Sequence, residues 1–299
     1  MVIFKAAGRE YKGNLHMHTT ESDGALTPME AVLAYEAEGY DFLAITDHRR
    51  VTTLKEYRGK TLLLPGIEMD EEPSRREVIH LLGIGGDARL IGRYRPGMKS
   101  QEAIDLINHS GGVCFLAHPH WSMNRPETLK GLRGLTGMEI FNSASRHPYN
   151  PDRADSTHML DLLASDGLLC PTTAADDTHY YGMEFARSFI FAQADSLSEK
   201  DVMAALQTGQ YYASQGPRFQ SVSLEGGVVR VTCSPVSHIL FHSDLAWNEG
   251  RAVSGDGLSE ASYQTDPARG ESFVRVILID EGGRRAWMKP FKVSPEAGR

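Results

Sequence analysis

The sequence predicts an α/β chain in two parts: a barrel of alternating strands and helices over residues 1–214, then a small antiparallel β-sandwich over residues 215–299. Three observations carry this. Short apolar runs alternate with helical patterns through the first two thirds of the chain, as parallel strands with crossover helices require. About seven such units follow one another, enough to close or nearly close a barrel. Beyond Gly209 the helical periodicity stops, and β-rich runs separated by Gly, Asp and Pro take over.

In order, TPMEAVLAYEAEG (27–39) is a helix. Thr27 and Glu30 fit a capping box, Pro28 suits the first turn and Gly39 the stop. DFLAIT (41–46) reads as a buried strand, as do LLLPGIE (62–68) and VIHLLGIG (78–85). Ser100 opens a helix that ends at Gly111, and VCFLAHP (113–119) and GMEIFN (137–142) are strands. A helix near 155–165, strands LLCPTTA (168–174) and RSFIFAQA (187–194), and the capped helix SEKDVMAALQTG (198–209) complete the first part. In the second part, SVSLEGGVVRVTC, SHILFHS and FVRVILIDEGGRRAWMKPFKV are strand-like, with a hairpin turn around Glu281, Gly282 and Gly283.

Composition narrows the function. A formal net charge of −8 disfavours broad attraction to long nucleic acid or anionic membrane. No apolar run approaches the roughly 20 residues that span a bilayer, and the first residues lack the pattern of a signal peptide. Cys114, Cys170 and Cys233 are far apart and without CxxC spacing, so reduced thiols in a cytoplasmic protein are expected. The sequence leaves the oligomeric state open.

The polar residues are more telling. His16 and His18, in GNLHMH, point to the same side of a strand. His48 follows the second strand, Glu68 ends the third, His118 ends the fifth, Asp177 and His179 follow the seventh, and Asp23 lies in the loop after the first. His80 lies within its run. All the others fall at or past the C-terminal ends of predicted strands, where barrel active sites assemble. Six histidines and three carboxylates converging there point to metal. Imidazole and carboxylate without thiolate suit Zn, Mn or Fe. Nine ligands are too many for one ion, so two or three divalent ions are expected. Close ions suit hydrolysis by a bridging hydroxide.

Read in order, HMH, SDG, TDH, GIE, the His80 segment, AHP and DDTH resemble the motif series of the PHP (polymerase and histidinol phosphatase) superfamily, over roughly residues 12–200. The resemblance implies a distorted (β/α)7 barrel and a phosphoesterase centre of two or three metals. It implies that His16, His18 and Asp177 bind a first ion, that Glu68 bridges to a second held by His80 and His118, and that Asp23, His48 and His179 hold a third. GQYYASQGP, GMEIFN, DDTHYYG and the β-rich tail are more loosely similar to the carbaryl-hydrolase-like (CehA/McbA type) branch, which includes carbamate ester cleavage.

Around the ligands, Arg49 and Arg50 follow His48, and Arg146 follows the sixth strand. Arginine at a metal rim clamps phosphate by paired hydrogen bonds; otherwise these are solvated loop residues. His120 is a candidate base or substrate contact beside His118, and Asp176 a candidate partner for a ligand histidine. Trp121, Tyr180 and Tyr181 either wall a pocket or simply pack. The expected activity is metal-dependent hydrolysis of a small phosphorylated substrate. The alternatives are a carboxyl or carbamate ester or amide hydrolase with the same metals, and a non-catalytic metal-holding module that binds a partner.

Overall fold

The structure, a computed structural model, describes residues 1–6, 9–74 and 76–293, with the side chains of 72–74 excepted. The last six positions of the predicted C-terminal domain, 294–299, lie outside the described residues.

Two sheets build the α/β fold. The smaller has the order Gly66–Ser74, Glu77–Ile84, Val113–Leu116, Gly137–Asn142, Thr172–Ala175. The larger begins at Leu62–Leu64 and continues through Phe42–Ala44, Arg9–Asn14, Phe189–Ala194 and Tyr211–Ser214 into the C-terminal strands Arg285–Trp287, Phe273–Ile279 and Val228–Ser243. Arg9–Asn14, Phe42–Ala44 and Leu62–Leu64 run parallel, as do Val113–Leu116, Gly137–Asn142 and Thr172–Ala175.

The chain is strand-rich, and regular strand–helix alternation is interrupted twice. Gly66–Ser74 and Glu77–Ile84 form an antiparallel hairpin with no helix between them, and Phe189–Ala194 runs antiparallel to Arg9–Asn14. The run LLLPGIE is two strands, not one. Pro65 has no N–H to give a ladder, so Leu62–Leu64 ends in one sheet and Gly66–Ser74 begins in the other.

Single bridges join the sheets, Met17 to Thr178 and His48 to Glu68. Their hydrogen bonds belong to the candidate ligands: the His18 N–H donates to Thr178 O at 3.0 Å, the Asp177 N–H to His16 O at 2.9 Å, and the Arg49 N–H to Glu68 O at 2.8 Å. The polar cluster therefore sits on the seam where the two sheets are sewn together.

The helix Pro28–Ala37 carries the expected capping box of Thr27 and Glu30. Ser100–His109, Thr157–Ser165 and Glu199–Thr208 are helices near their expected positions. In the tail, the turn around Glu281–Gly283 closes a hairpin between Phe273–Ile279 and Arg285–Trp287. That hairpin packs inward: Trp287 is fully buried and stacks on Phe141 at 5.5 Å. Burying a side chain of that size contributes roughly 2–3 kcal/mol. Arg275, 0% exposed, reaches Asp161 on the helix Thr157–Ser165 with bonds of 2.6 and 2.8 Å. Among the described residues, no helix is long and apolar enough to cross a membrane.

Candidate metal centre

The HMH segment leaves the strand Arg9–Asn14 with both imidazoles on one side, wholly buried. His16 Nε2 and His18 Nε2 lie 3.3 Å apart, 3.2 and 3.1 Å from Glu68 Oε2, and 3.1 and 3.0 Å from Asp177 Oδ1. On the other side of Glu68, Oε1 lies 2.7 Å from His80 Nδ1 and 3.3 Å from His118 Nε2. Toward solvent, Asp23 stands 3.6 Å from His18, 3.8 Å from His48 and 3.5 Å from His179. The nine candidates thus form three overlapping groups, each with its donor atoms within 4.8 Å of one another. Glu68 joins two of the groups, and His18 also joins two.

Local sequence explains the approach. Gly24 of SDG is required because a Cβ there would stand 2.3 Å from the His18 carbonyl oxygen. Asp47 of TDH accepts from the Thr19 N–H at 2.7 Å, the Thr19 hydroxyl at 2.8 Å and the Ser22 hydroxyl at 2.8 Å, holding the loop that carries Asp23. His118 and Asp177 adopt positive φ, 26° and 52°. Such backbone is uncommon for non-glycine residues and is concentrated at functional sites.

The electrostatics favour positive charge here. Burial acts to lower the His16 and His18 pKa values, but Asp177 and Glu68 overcome it, with Glu139 adding at His16; His16 is held well above the usual range and His18 is raised to about 9. Burial acts to raise Glu68 and Asp177, yet the surrounding histidines hold both far below the ordinary carboxylate value. Asp177 Oδ1 and His48 Nδ1 are buried without a well-aligned hydrogen bond. Nitrogen and oxygen donors, unmet and converging, fit divalent cations better than packing alone. The clusters suggest divalent metal binding.

The other three sequence candidates do not line the pocket over this cluster, a cavity of about 350 Å³ walled by Trp121, Tyr149, Asn150 and Tyr180 as well as seven of the nine candidate ligands, His16 and His18 excepted. Arg49 forks onto Asp70 with bonds of 2.7 and 2.5 Å. His120 is exposed, its Nδ1 2.9 Å from the Asp155 carbonyl oxygen. Arg146 lines a neighbouring cavity. Asp176 contacts no ligand histidine. Its carboxylate accepts from the Tyr35 hydroxyl and from the N–H groups of Ala186, Arg187 and Ser188, all within 2.9 Å.

Sequence reading missed the residues that hydrogen-bond to the candidate ligands. Glu139, 0% exposed, places Oε1 2.8 Å from His16 Nδ1 and accepts from the His118 N–H at 2.8 Å. Asn142 donates to Glu139 and to Asp177, and the Ser122 hydroxyl lies 2.9 Å from His118 Nδ1. A detectable clue was there: Glu139 is the lone charge in the apolar strand GMEIFN, and a buried charge needs partners.

Comparison with known proteins adds the fold. No protein-family profile matches the chain. A two-domain protein from Bacteroides vulgatus, described as containing a predicted PHP-like metal-dependent phosphoesterase, superposes with a TM-score of 0.51 at 16% identity over 97% of both chains. An amidohydrolase from Chromobacterium violaceum aligns over 58% of this chain and 89% of its own, at 20% identity and a TM-score of 0.44. The DNA polymerase/3'-5' exonuclease PolX of Bacillus subtilis is 51% identical over 39 residues, 13% of this chain and 7% of that protein's length. The chain therefore shares the mixed α/β fold of the Bacteroides vulgatus structure.

Proposed function

We propose that the chain is a metal-dependent hydrolase of small phosphate esters. One observation carries the reading: nine imidazole and carboxylate side chains in three overlapping groups lie beneath or line one open pocket. His16, His18 and Asp177 would hold one ion, His80 and His118 a second with Glu68 shared between the two groups, and Asp23, His48 and His179 a third. Bound divalent ions, Zn, Mn or Fe, supply an activated water and neutralise the charge developing on the ester. The protein's part is to fix the ligands. Glu139 orients His16, Asn142 orients Asp177, and Ser122 orients His118. The description of the Bacteroides vulgatus neighbour and the motif series both support phosphate as the group cut.

A carboxyl or carbamate ester is the second reading. Among the described residues, no arginine or lysine lines the metal pocket, whereas Trp121, Tyr149 and Tyr180 do. Phosphate charge would be met there by ions alone, and a neutral ester asks for less.

The test is a screen of phosphate monoesters, phosphodiesters and carboxyl esters on protein reconstituted with Mn, Fe or Zn, with elemental analysis alongside. Two or three ions per chain and turnover of a phosphate ester are expected. Turnover confined to carboxyl esters favours the second reading, and a chain that binds no ion under any of these conditions overturns both.

A further inference from the structure

A second cavity, about 390 Å³, opens beside the first. Tyr149 belongs to the walls of both, and its ring stacks at 4.8 Å on Tyr180, which lines the metal pocket. The second cavity is built from both parts of the chain. Arg146 and Arg187 come from the first, and Arg284 comes from the C-terminal hairpin.

These guanidinium groups are only lightly committed. Arg187 is anchored through its backbone, whose N–H donates to Asp176 Oδ1 at 2.9 Å, and among the described residues no carboxylate pairs with its exposed side chain. Arg146 Nε stands 3.9 Å from Asp152, beyond hydrogen-bond distance. Arg284 gives Nε to Asp280 at 2.7 Å. Its guanidinium lies over Gly216, where a Cβ would stand 3.3 Å from Cζ. Among the described residues, the one carboxylate in the wall is the buried Glu184: its Oε1 accepts from the Thr178 hydroxyl at 3.0 Å and the Tyr180 N–H at 2.7 Å, and its Oε2 has no hydrogen-bond partner. Three forked cations against one carboxylate leave the described wall with an excess of positive charge, which favours a carboxylate or phosphate guest.

We propose that this second cavity receives an anionic group, carboxylate or phosphate, on the part of the substrate remote from the bond that is cut, so that the substrate is a small ester carrying a second negative charge. The proposal rests on the hydrolase reading for the reaction, but not on which ester is cut. It also gives the C-terminal part a task, since Arg284 and Gln215 bring the far wall.

The test uses the metal-loaded full chain and two kinds of probe, benzylphosphonate and its meta- and para-carboxylated counterparts, titrated by calorimetry. The carboxylated probe of better reach is expected to bind roughly ten-fold or more tightly than the plain one. In the double variant Arg187→Ala, Arg284→Ala that ratio should fall below about three-fold, and Arg187→Lys with Arg284→Lys should restore part of it. Metal content of each variant reports whether it has folded. Equal binding of all probes, or a ratio that survives in the double variant, overturns the proposal. Turnover of phenyl phosphate and 4-carboxyphenyl phosphate is measured in parallel. A binding ratio that appears while neither phosphate is cut would sink the phosphoesterase reading and leave the anion cavity standing. Failure of every phosphonate to bind counts against both.

Discussion

Two clusters of opposed charge in the molecule are built differently. At the sheet seam, Glu68 and Asp177 face histidines, whose charge can be given up to a metal ion. In the C-terminal half, Asp161 faces Arg275, whose charge is permanent, and His242 at 3.7 Å. The first cluster is exchangeable, lies at a pocket and shares its carboxylates among several partners. The second is a fixed clamp between the helix Thr157–Ser165 and the sheet strand Phe273–Ile279. The contrast separates a site from a scaffold: the first buries its carboxylates among exchangeable donors at a pocket, whereas the second ties a partly exposed carboxylate to a buried, permanent cation.

The largest effect that would sharpen this contrast is expected at Glu68. Glu68→Gln keeps the size and removes the charge that joins two donor groups. Activity should fall about a thousand-fold or more, and elemental analysis should show lost metal, while the unfolding midpoint of metal-free protein changes little or rises. A variant that keeps full metal and turnover would mean Glu68 joins nothing.

The scaffold should answer in stability instead. Arg275→Leu strands Asp161, and breaking a buried pair costs roughly 3–5 kcal/mol, with the lower end expected because Asp161 is partly exposed. Burial acts to raise the Asp161 pKa, but the Arg275 and His242 bonds keep it below the usual carboxylate value. A depressed folded-state pKa means the pair's stabilisation is complete above the unfolded value, about 4, and is lost as pH falls through the folded value. The denaturation gap between wild type and variant should therefore be widest at neutral pH and narrow in acid. A gap independent of pH would show that lost packing, not charge, explains it.

How much of this was legible in the sequence follows the same division. Most of the candidate ligands announce themselves because they are polar residues at or just past the end of an apolar run. His80 did not obey that rule, and the hairpin explains it. Asp70 pairs with His80 and Glu68 with Leu82 across antiparallel strands, so His80 reaches Glu68 diagonally on one face. A sequence read as parallel units has no place for that contact. Glu139 was hidden because its partners are distant in the chain, 21 residues to His118 and 123 to His16. The Arg275–Asp161 clamp spans 114 residues and carries no motif at all.

Glu139 itself gives the next, smaller effect. Glu139→Gln leaves His16 and His118 in place but weakens what orients them. A loss of roughly ten- to a hundred-fold in metal affinity is expected, read by competition with a chelator, with much of the turnover recovered at saturating metal. Turnover that stays low at full metal occupancy would show that Glu139 does more than orient ligands.

The smallest effect is expected at Arg49, and it tests the boundary between site and scaffold most finely. In the sequence Arg49 adjoins His48 and is a natural phosphate clamp. In the fold its backbone has φ of 62° and its N–H donates to Glu68 O, so the main chain belongs to the site. Its side chain does not: both arms of the fork engage Asp70, and the residue is absent from the pocket wall. A half-exposed pair of this kind contributes about 1 kcal/mol or less. Arg49→Ala should therefore change kcat/KM by less than about five-fold, at roughly 1.4 kcal/mol per factor of ten, and equally for a phosphate ester and a neutral carboxyl ester. A loss of a hundred-fold confined to the phosphate ester would mean that Arg49 leaves Asp70 when substrate arrives, and would move the clamp from the scaffold back into the site.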